Sequence, residues 1–171
     1  HRRLCLWSRV NRGTPECPGL VAGLDRGGSC AGVAYRIPAR EVRGQFEQLW
    51  EREMFMGSYA PRWLRCRAGD GADVSALAFV VRRDVANYAG RLTEAQILDV
   101  FRRGSSGRFG TSLDYLVNTV RSLREHGLRD PHFERLARHA AVAAAPSIGE
   151  GLVAAPGRAV RQRPARARDR R

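Results

Sequence analysis

Apolar positions recur with two different periods along the chain, and the change of period divides it. Residues 1–8 (HRRLCLWS) alternate loosely around Leu4, Leu6 and Trp7, which predicts a strand. Two more short strands are expected over residues 20–24 and 30–37, with Asp25-Arg26-Gly27-Gly28 as the hairpin turn between them. Residues 62–67 form another, joined through Gly69-Asp70-Gly71 to residues 73–82, a near-continuous apolar run expected to be central and buried. The later chain follows the helical period. Thr93 caps a helix with Ile97, Leu98, Val100 and Phe101 inward. A capping box over residues 111–114 opens another, with Leu113, Leu116, Val117, Val120 and Leu123 inward and Gly127 at its end. Pro131 opens a last one that turns Phe133, Leu136 and Ala140 inward. Strands first, then a helix, two strands and three helices make an α+β domain rather than an alternating βαβ fold.

One segment breaks its own pattern. In residues 41–59, Val42, Phe46, Leu49 and Trp50 fall at i, i+4, i+7 and i+8, one face of a helix. The next position on that face is Glu53, near the helix C-terminus, where the macrodipole disfavours negative charge. Glu41, Glu47 and Glu51 lie off the stripe. A carboxylate in a core-facing slot is a candidate working group. Buried without a cation it would serve as a general base; the alternative is a plain ion pair with Arg52 or a more distant arginine.

Composition narrows the function classes. At 171 residues and 43% hydrophobic content the chain suits one globular domain. No apolar run approaches the ~18 residues that cross a bilayer, so no membrane partner is expected. Cys5, Cys17, Cys30 and Cys66 are too widely spaced for a CxxC pair, which predicts reduced, mostly buried thiols and a cytoplasmic protein. The net charge of +13 is carried by arginine alone. Residues 1–145 hold a surplus of 8 positive charges and residues 146–171 a surplus of 5. The expected division is therefore a folded domain over 1–145 and an Arg/Ala/Pro-rich disordered tail over 146–171. The charge favours anionic partners. The absence of lysine looks more like a coding bias than an adaptation to nucleic acid, so a basic nucleic-acid-binding module stands only as an alternative.

Other chemistry is thin. His1, His126, His132 and His139 show neither HxxxH nor HExxH spacing, so no metal is expected. There is no GxSxG element. The loop Gly104–Ser112 is rich in glycine and hydroxyls and leads into a helix start, where backbone N–H groups can bind an anion; a plain interhelix loop is the alternative. Tyr115, just off the buried stripe of its helix, could reach a ligand held there.

With these residues in view, the chain resembles the ChaC-type γ-glutamylcyclotransferases. The matching pieces are Arg12-Gly13-Thr14-Pro15 with Pro18-Gly19, then GVAYRIP over residues 32–38, and LWEREM over 49–54 followed by Gly57-Ser58-Tyr59. Ser106-Gly107 and Asp114-Tyr115-Leu116 complete the series. They run in the family's order over roughly residues 1–140. The resemblance implies a small β-barrel-like core flanked by helices and a cofactor-independent carbon–nitrogen lyase. Its substrate would be glutathione, converted to 5-oxoproline and cysteinylglycine. It puts the catalytic acid/base on Glu53 and implies that Tyr59, Tyr115, Gly107 and Arg12 bind substrate. Glu53 would take a proton from the substrate's α-ammonium, whose nitrogen attacks the γ-carbonyl, and return it to the departing amine.

Family chains open with a strand and a Tyr-Gly-Ser-Leu loop that holds the γ-glutamyl carboxylate and donates to the oxyanion. The present sequence starts at His1, without an initiating Met, on a segment like the one that follows that loop. Two expectations arise: a fragment of a longer enzyme, or a ChaC-like binding protein without turnover. Either leaves a strand edge unpaired.

Overall fold

The computed structural model describes residues 1–144; the expected tail over 146–171 lies outside them. Six strands and four helices follow in order: β1 (Arg2–Ser8), β2 (Gly19–Leu24), α1 (Val42–Met54), β3 (Tyr59–Arg67), β4 (Asp73–Val81), α2 (Glu94–Arg102), β5 (Ser106–Gly107), β6 (Gly110–Thr111), α3 (Ser112–Glu125) and α4 (Pro131–Ala144). A short 3-10 turn, Ala39–Glu41, precedes α1. The main sheet has the order β1-β2-β4-β3, while β5 and β6 pair only with each other. This is the α+β architecture the patterning predicts.

The sheet is two antiparallel hairpin pairs with a narrow join. β1 pairs with β2, with a register irregularity between Leu4 and Leu6, and β3 pairs with β4 along its whole length. Between the pairs runs one parallel bridge, Leu24 to Val80. The outer edge of β1 is covered by a strap: Trp7 N–H donates to Asn87 O, Ala89 N–H to Cys5 O, and Leu6 bridges Tyr88. Among the described residues, β4 has no second neighbour along its other edge from Asp73 to Phe79.

Period-two alternation places Leu20 and Ala22 against the helices and Val21 on the opposite face. The main core joins Leu4 and Leu20 to Ile97, Val100 and Phe101 of α2, Leu116 and Val120 of α3, and Phe133, Leu136 and Ala140 of α4. Phe133, Leu116 and Leu136 are fully enclosed, each worth roughly 1.5–3 kcal/mol of burial. The opposite face holds a smaller cluster, Cys5, Leu6 and Val81, with Tyr59 and Tyr88 beside it.

Two carboxylates tie the elements together. Asp25, at the end of β2, is buried and accepts from Arg3, Arg83, the Tyr88 hydroxyl and the Arg26 amide. Burial pushes its carboxyl up, but the bonds from Arg83, Arg26 and Tyr88 outweigh that and hold it low. Glu134 of α4 accepts two bonds from Arg129 and one from Arg124. The Arg129 fork, against the opposing pull of desolvation, brings its carboxyl down to about 2.

Several expectations need correction. Residues 30–37 form no strand: Val33, Tyr35 and Ile37 lie exposed, because alternation yields a strand only where an open edge faces it. Asp25-Arg26-Gly27-Gly28 is therefore no hairpin turn; it folds back on the N-terminal amine, which donates to Asp25 O and Gly27 O. β4 is central in strand order, yet only Val81 is buried, because its other edge is open. α1 buries no residue at all, and Phe46 and Trp50 pack mainly on each other. Val117 is exposed, and of the four cysteines only Cys5 is buried, all four being unpaired.

Two stability measurements follow. Phe133→Ala should cost about 3–5 kcal/mol and Phe46→Ala under about 1 kcal/mol in urea unfolding; equal losses would mean that α1 packs after all. Glu134's depressed carboxyl stabilises the fold above its ordinary 4.5 and loses that contribution as pH falls from 4.5 towards about 2. Glu134→Gln should flatten the stability–pH curve across that window.

Candidate active site

The site grows from the loop after β1. Ser8 Oγ accepts from the Arg12 amide at 3.0 Å. The β5–β6 hairpin then grips the same loop from the other side: Arg108 N–H donates to Val10 O at 2.8 Å and Phe109 N–H to Asn11 O at 2.9 Å. Contact is so close that a Cβ on Gly107 would stand 2.4 Å from Val10 O and 2.6 Å from Arg12 N. No side chain fits there. Gly110, at φ 95°, supplies the left-handed turn residue of the hairpin.

Held this way, Arg12 has a defined orientation. Its guanidinium donates to Phe109 O and, at 3.5 Å, to Thr111 O, and lies 5.4 Å from the centroid of the Tyr115 ring. A cation–π contact of this kind adds roughly 0.5–1 kcal/mol to the placement. Tyr115 is fixed in turn by its hydroxyl, which accepts from Ala22 N–H of β2 at 3.2 Å. Burial raises its phenol, opposed by the Ala22 bond and the Arg12 charge.

An open cavity of about 280 Å³ lies between β2 and this loop. Its polar wall is Ser8, Asn11, Arg12, Tyr59 and Tyr115; Val21, Ala22 and Phe109 complete it. The wall carries one cation and no carboxylate, which suits an anionic group. Tyr59 begins β3, just after Gly57 turns the chain at φ 63°. Desolvation, and next the negative charge of Glu53, push its phenol up to about 12. Tyr59 is thus a neutral hydrogen-bonding group across the physiological range.

Glu53 sits in the last turn of α1, outside the cavity wall, with its charge felt at Tyr59. Its side chain keeps 23% of its exposure and takes one bond, from Arg52 Nε at 2.9 Å. The expected burial without a cation is not found. Arg12, Tyr59 and Tyr115 come together at one cavity; Gly107 shapes the loop beneath it rather than lining it.

Within Gly104–Ser112, several groups that could bind an anion already have partners in the chain, as the plain-loop alternative expects. The N–H groups of Arg108 and Phe109 are taken by the Val10 and Asn11 carbonyls. The α3 N-terminus is closed by its own capping box, Asp114 accepting from the Thr111 amide and hydroxyl. Among the described residues, no cluster of three metal-ligating side chains exists, and no helix is long and apolar enough to cross a membrane. Sequence reasoning passed over Ser8 and Asn11, although both stand within four positions of Arg12, and Ser112, whose hydroxyl does more than begin a helix.

The ChaC-like protein family model matches residues 1–143. The chain belongs to the ChaC-like family. An Escherichia coli K12 protein named glutathione-specific gamma-glutamylcyclotransferase is 35% identical over 130 residues, covering 76% of this chain and 56% of that protein. Gamma-glutamylcyclotransferase 2-3 of Arabidopsis thaliana is 26% identical, covering 76% of this chain and 69% of that one. The ChaC-like chain therefore spans a little over half the length of the bacterial relative. A yeast γ-glutamyl cyclotransferase specific to glutathione shares the fold, with a TM-score of 0.64 at 16% identity over 84% of both chains.

The proximity of Glu53 and Tyr59 can be tested without catalysis. In a spectroscopic tyrosine titration, Tyr59→Phe should remove a step near 12. Glu53→Gln should move that step down, because it deletes a negative charge that disfavours the phenolate. An unmoved step would separate the two groups.

Proposed function

We propose that this ChaC-like chain is a glutathione-cleaving γ-glutamylcyclotransferase with Glu53 as its acid/base. The observation that carries the reading is the gathering of Arg12, Tyr59 and Tyr115 around one cavity, with the Glu53 charge felt at Tyr59. The bacterial and yeast relatives named for this activity support it.

The reaction needs one proton carrier. Glu53 accepts a proton from the α-ammonium of the γ-glutamyl group. The freed nitrogen attacks the γ-carbonyl carbon, forming the five-membered lactam. The attacking nitrogen gives up a second proton as the amide C–N bond to cysteine breaks, and Glu53 relays both protons to the departing nitrogen, which leaves as an ammonium. Products are 5-oxoproline and cysteinylglycine, with no water consumed and no cofactor required. Arg12 holds a substrate carboxylate, and the Tyr59 and Tyr115 phenols donate to substrate oxygens. Gly107 contributes by letting the Arg12 loop lie where it does. Four unpaired thiols and a thiol-bearing substrate accord with a cytoplasmic site of action.

Glu53→Gln should lower 5-oxoproline release from glutathione by at least about 100-fold while leaving the circular dichroism spectrum and melting temperature unchanged. Retained turnover removes Glu53 from the mechanism. A second reading, a ChaC-like binding protein without turnover, is favoured by the Arg52–Glu53 pair and by the position of Glu53 outside the cavity wall. Thermal protection by glutathione with no 5-oxoproline released would select it.

A further inference from the structure

On the side away from β1, the β2 strand meets β4 only at Leu24, and among the described residues its edge before that point has no strand neighbour. Its partner β1 lies on the other side, so the N–H groups of Leu20 and Ala22, two residues apart, face α3. Both are satisfied by hydroxyls from that helix. Leu20 N–H donates to Ser112 Oγ at 2.7 Å and Ala22 N–H to Tyr115 Oη at 3.2 Å. Ser112 and Tyr115 are three apart, on one face of the helix, matching the two-residue spacing along the strand.

Ser112 has a second bond. Its own proton goes to Arg12 O at 3.4 Å, so one hydroxyl, 1% exposed, joins the strand, the helix and the loop that carries the cavity's cation. Arg12 O also accepts from Ser105 Oγ at 3.4 Å. The packing around the contact leaves no slack. A Cβ on Gly19 would meet Arg12 O at 2.1 Å and Ser112 Oγ at 2.3 Å.

We propose that Ser112 is a positioning residue: its hydroxyl sets Arg12 and Tyr115 relative to each other, and so fixes how tightly the cavity holds an anionic substrate. Ser112 does not line the cavity and touches no substrate. It acts because Arg12 and Tyr115 form one unit, the guanidinium over the ring, whose two anchors both run through the β2 edge. The effect on turnover rests on the glutathione reading above; the effect on geometry does not.

The test compares Ser112→Ala with Val120→Ala, a core truncation of the same helix that serves as a stability control. Ser112→Ala should raise KM for glutathione about tenfold and leave kcat within about twofold, since ground-state and transition-state binding of a remote carboxylate are lost equally. Val120→Ala should lower the melting temperature without moving KM. If both variants raise KM alike, Ser112 is merely structural and the proposal falls. In parallel, amide exchange is followed by 15N NMR on each chain. Ser112→Ala should loosen Ala22, whose bond goes to Tyr115, and shift the Arg12 side-chain Nε–H signal. A change confined to Leu20 overturns the proposal. Should the unaltered chain fail to turn over glutathione, the functional reading fails, and the exchange experiment still decides the positioning role.

Discussion

The backbone from Val10 to Gly13 has almost no freedom, and the cavity depends on that. Two amides of the β5–β6 hairpin bind its carbonyls, the Ser8 hydroxyl takes its Arg12 amide, and two further hydroxyls reach the Arg12 carbonyl. Three glycines allow the approach. A Cβ on Gly13, Gly19 or Gly107 would meet backbone atoms at 2.1 to 2.4 Å. Each of these contacts is with main chain, which cannot rotate aside as a side chain can. A cation carried by this loop therefore has a place set by the fold rather than by its own rotamers, which lowers the entropy lost when it meets an anion.

The carboxylates show by contrast what the fold does with negative charge. Asp25 and Glu134 are enclosed and each meets two guanidinium groups. Removing one partner from such a site takes away part of what offsets the burial of the charge, so they act as ties between elements. Glu53 has one arginine, its sequence neighbour, and remains partly open to solvent. An exposed pair of this type contributes between about 0 and 1 kcal/mol, so Arg52 can leave Glu53 at little cost. A carboxylate that must exchange protons with a substrate needs that looseness.

Much of the architecture was legible because helix faces and caps are local. The expected cap at Thr93 and the capping box at Thr111 both form, and the inward residues of α2 and α4 are those the 3.6-residue period picks out. Legibility failed where a pattern needed a distant partner. Residues 30–37 alternate correctly and form no strand; α1 has a clean apolar stripe and buries none of it. Both patterns describe a surface ready to be covered, and periodicity cannot say what covers it. At the site, Tyr115 lines the cavity and Glu53 stands outside its wall, with its charge felt at Tyr59. The bonds that build the cavity did not show, because Ser8 to Arg12, Ser112 to Leu20 and Phe109 to Asn11 join backbone to hydroxyl or backbone to backbone, and such bonds have no residue-type signature.

The groups around the cavity divide sharply by what they can do with a proton. The Tyr59 phenol is held at about 12 by desolvation and by the charge of Glu53, and burial raises that of Tyr115, so near neutral pH both stay protonated and neither serves as a base. The Cys5 thiol, pushed to about 11 by burial, lies in the cluster behind Tyr59 and is equally inert as a base. Arg12 is a guanidinium, five donors and no acceptor. No histidine stands in the wall: His126 caps α3, and His139 pairs with Glu94 across α2 and α4. Among the described residues, two carboxylates outside the wall couple to wall groups, Asp114 to Arg12 and Glu53 to Tyr59; Asp114 is taken up in the α3 capping box, which leaves Glu53 the freer of the two for proton exchange. That is the physical support for proposing Glu53 as the acid/base.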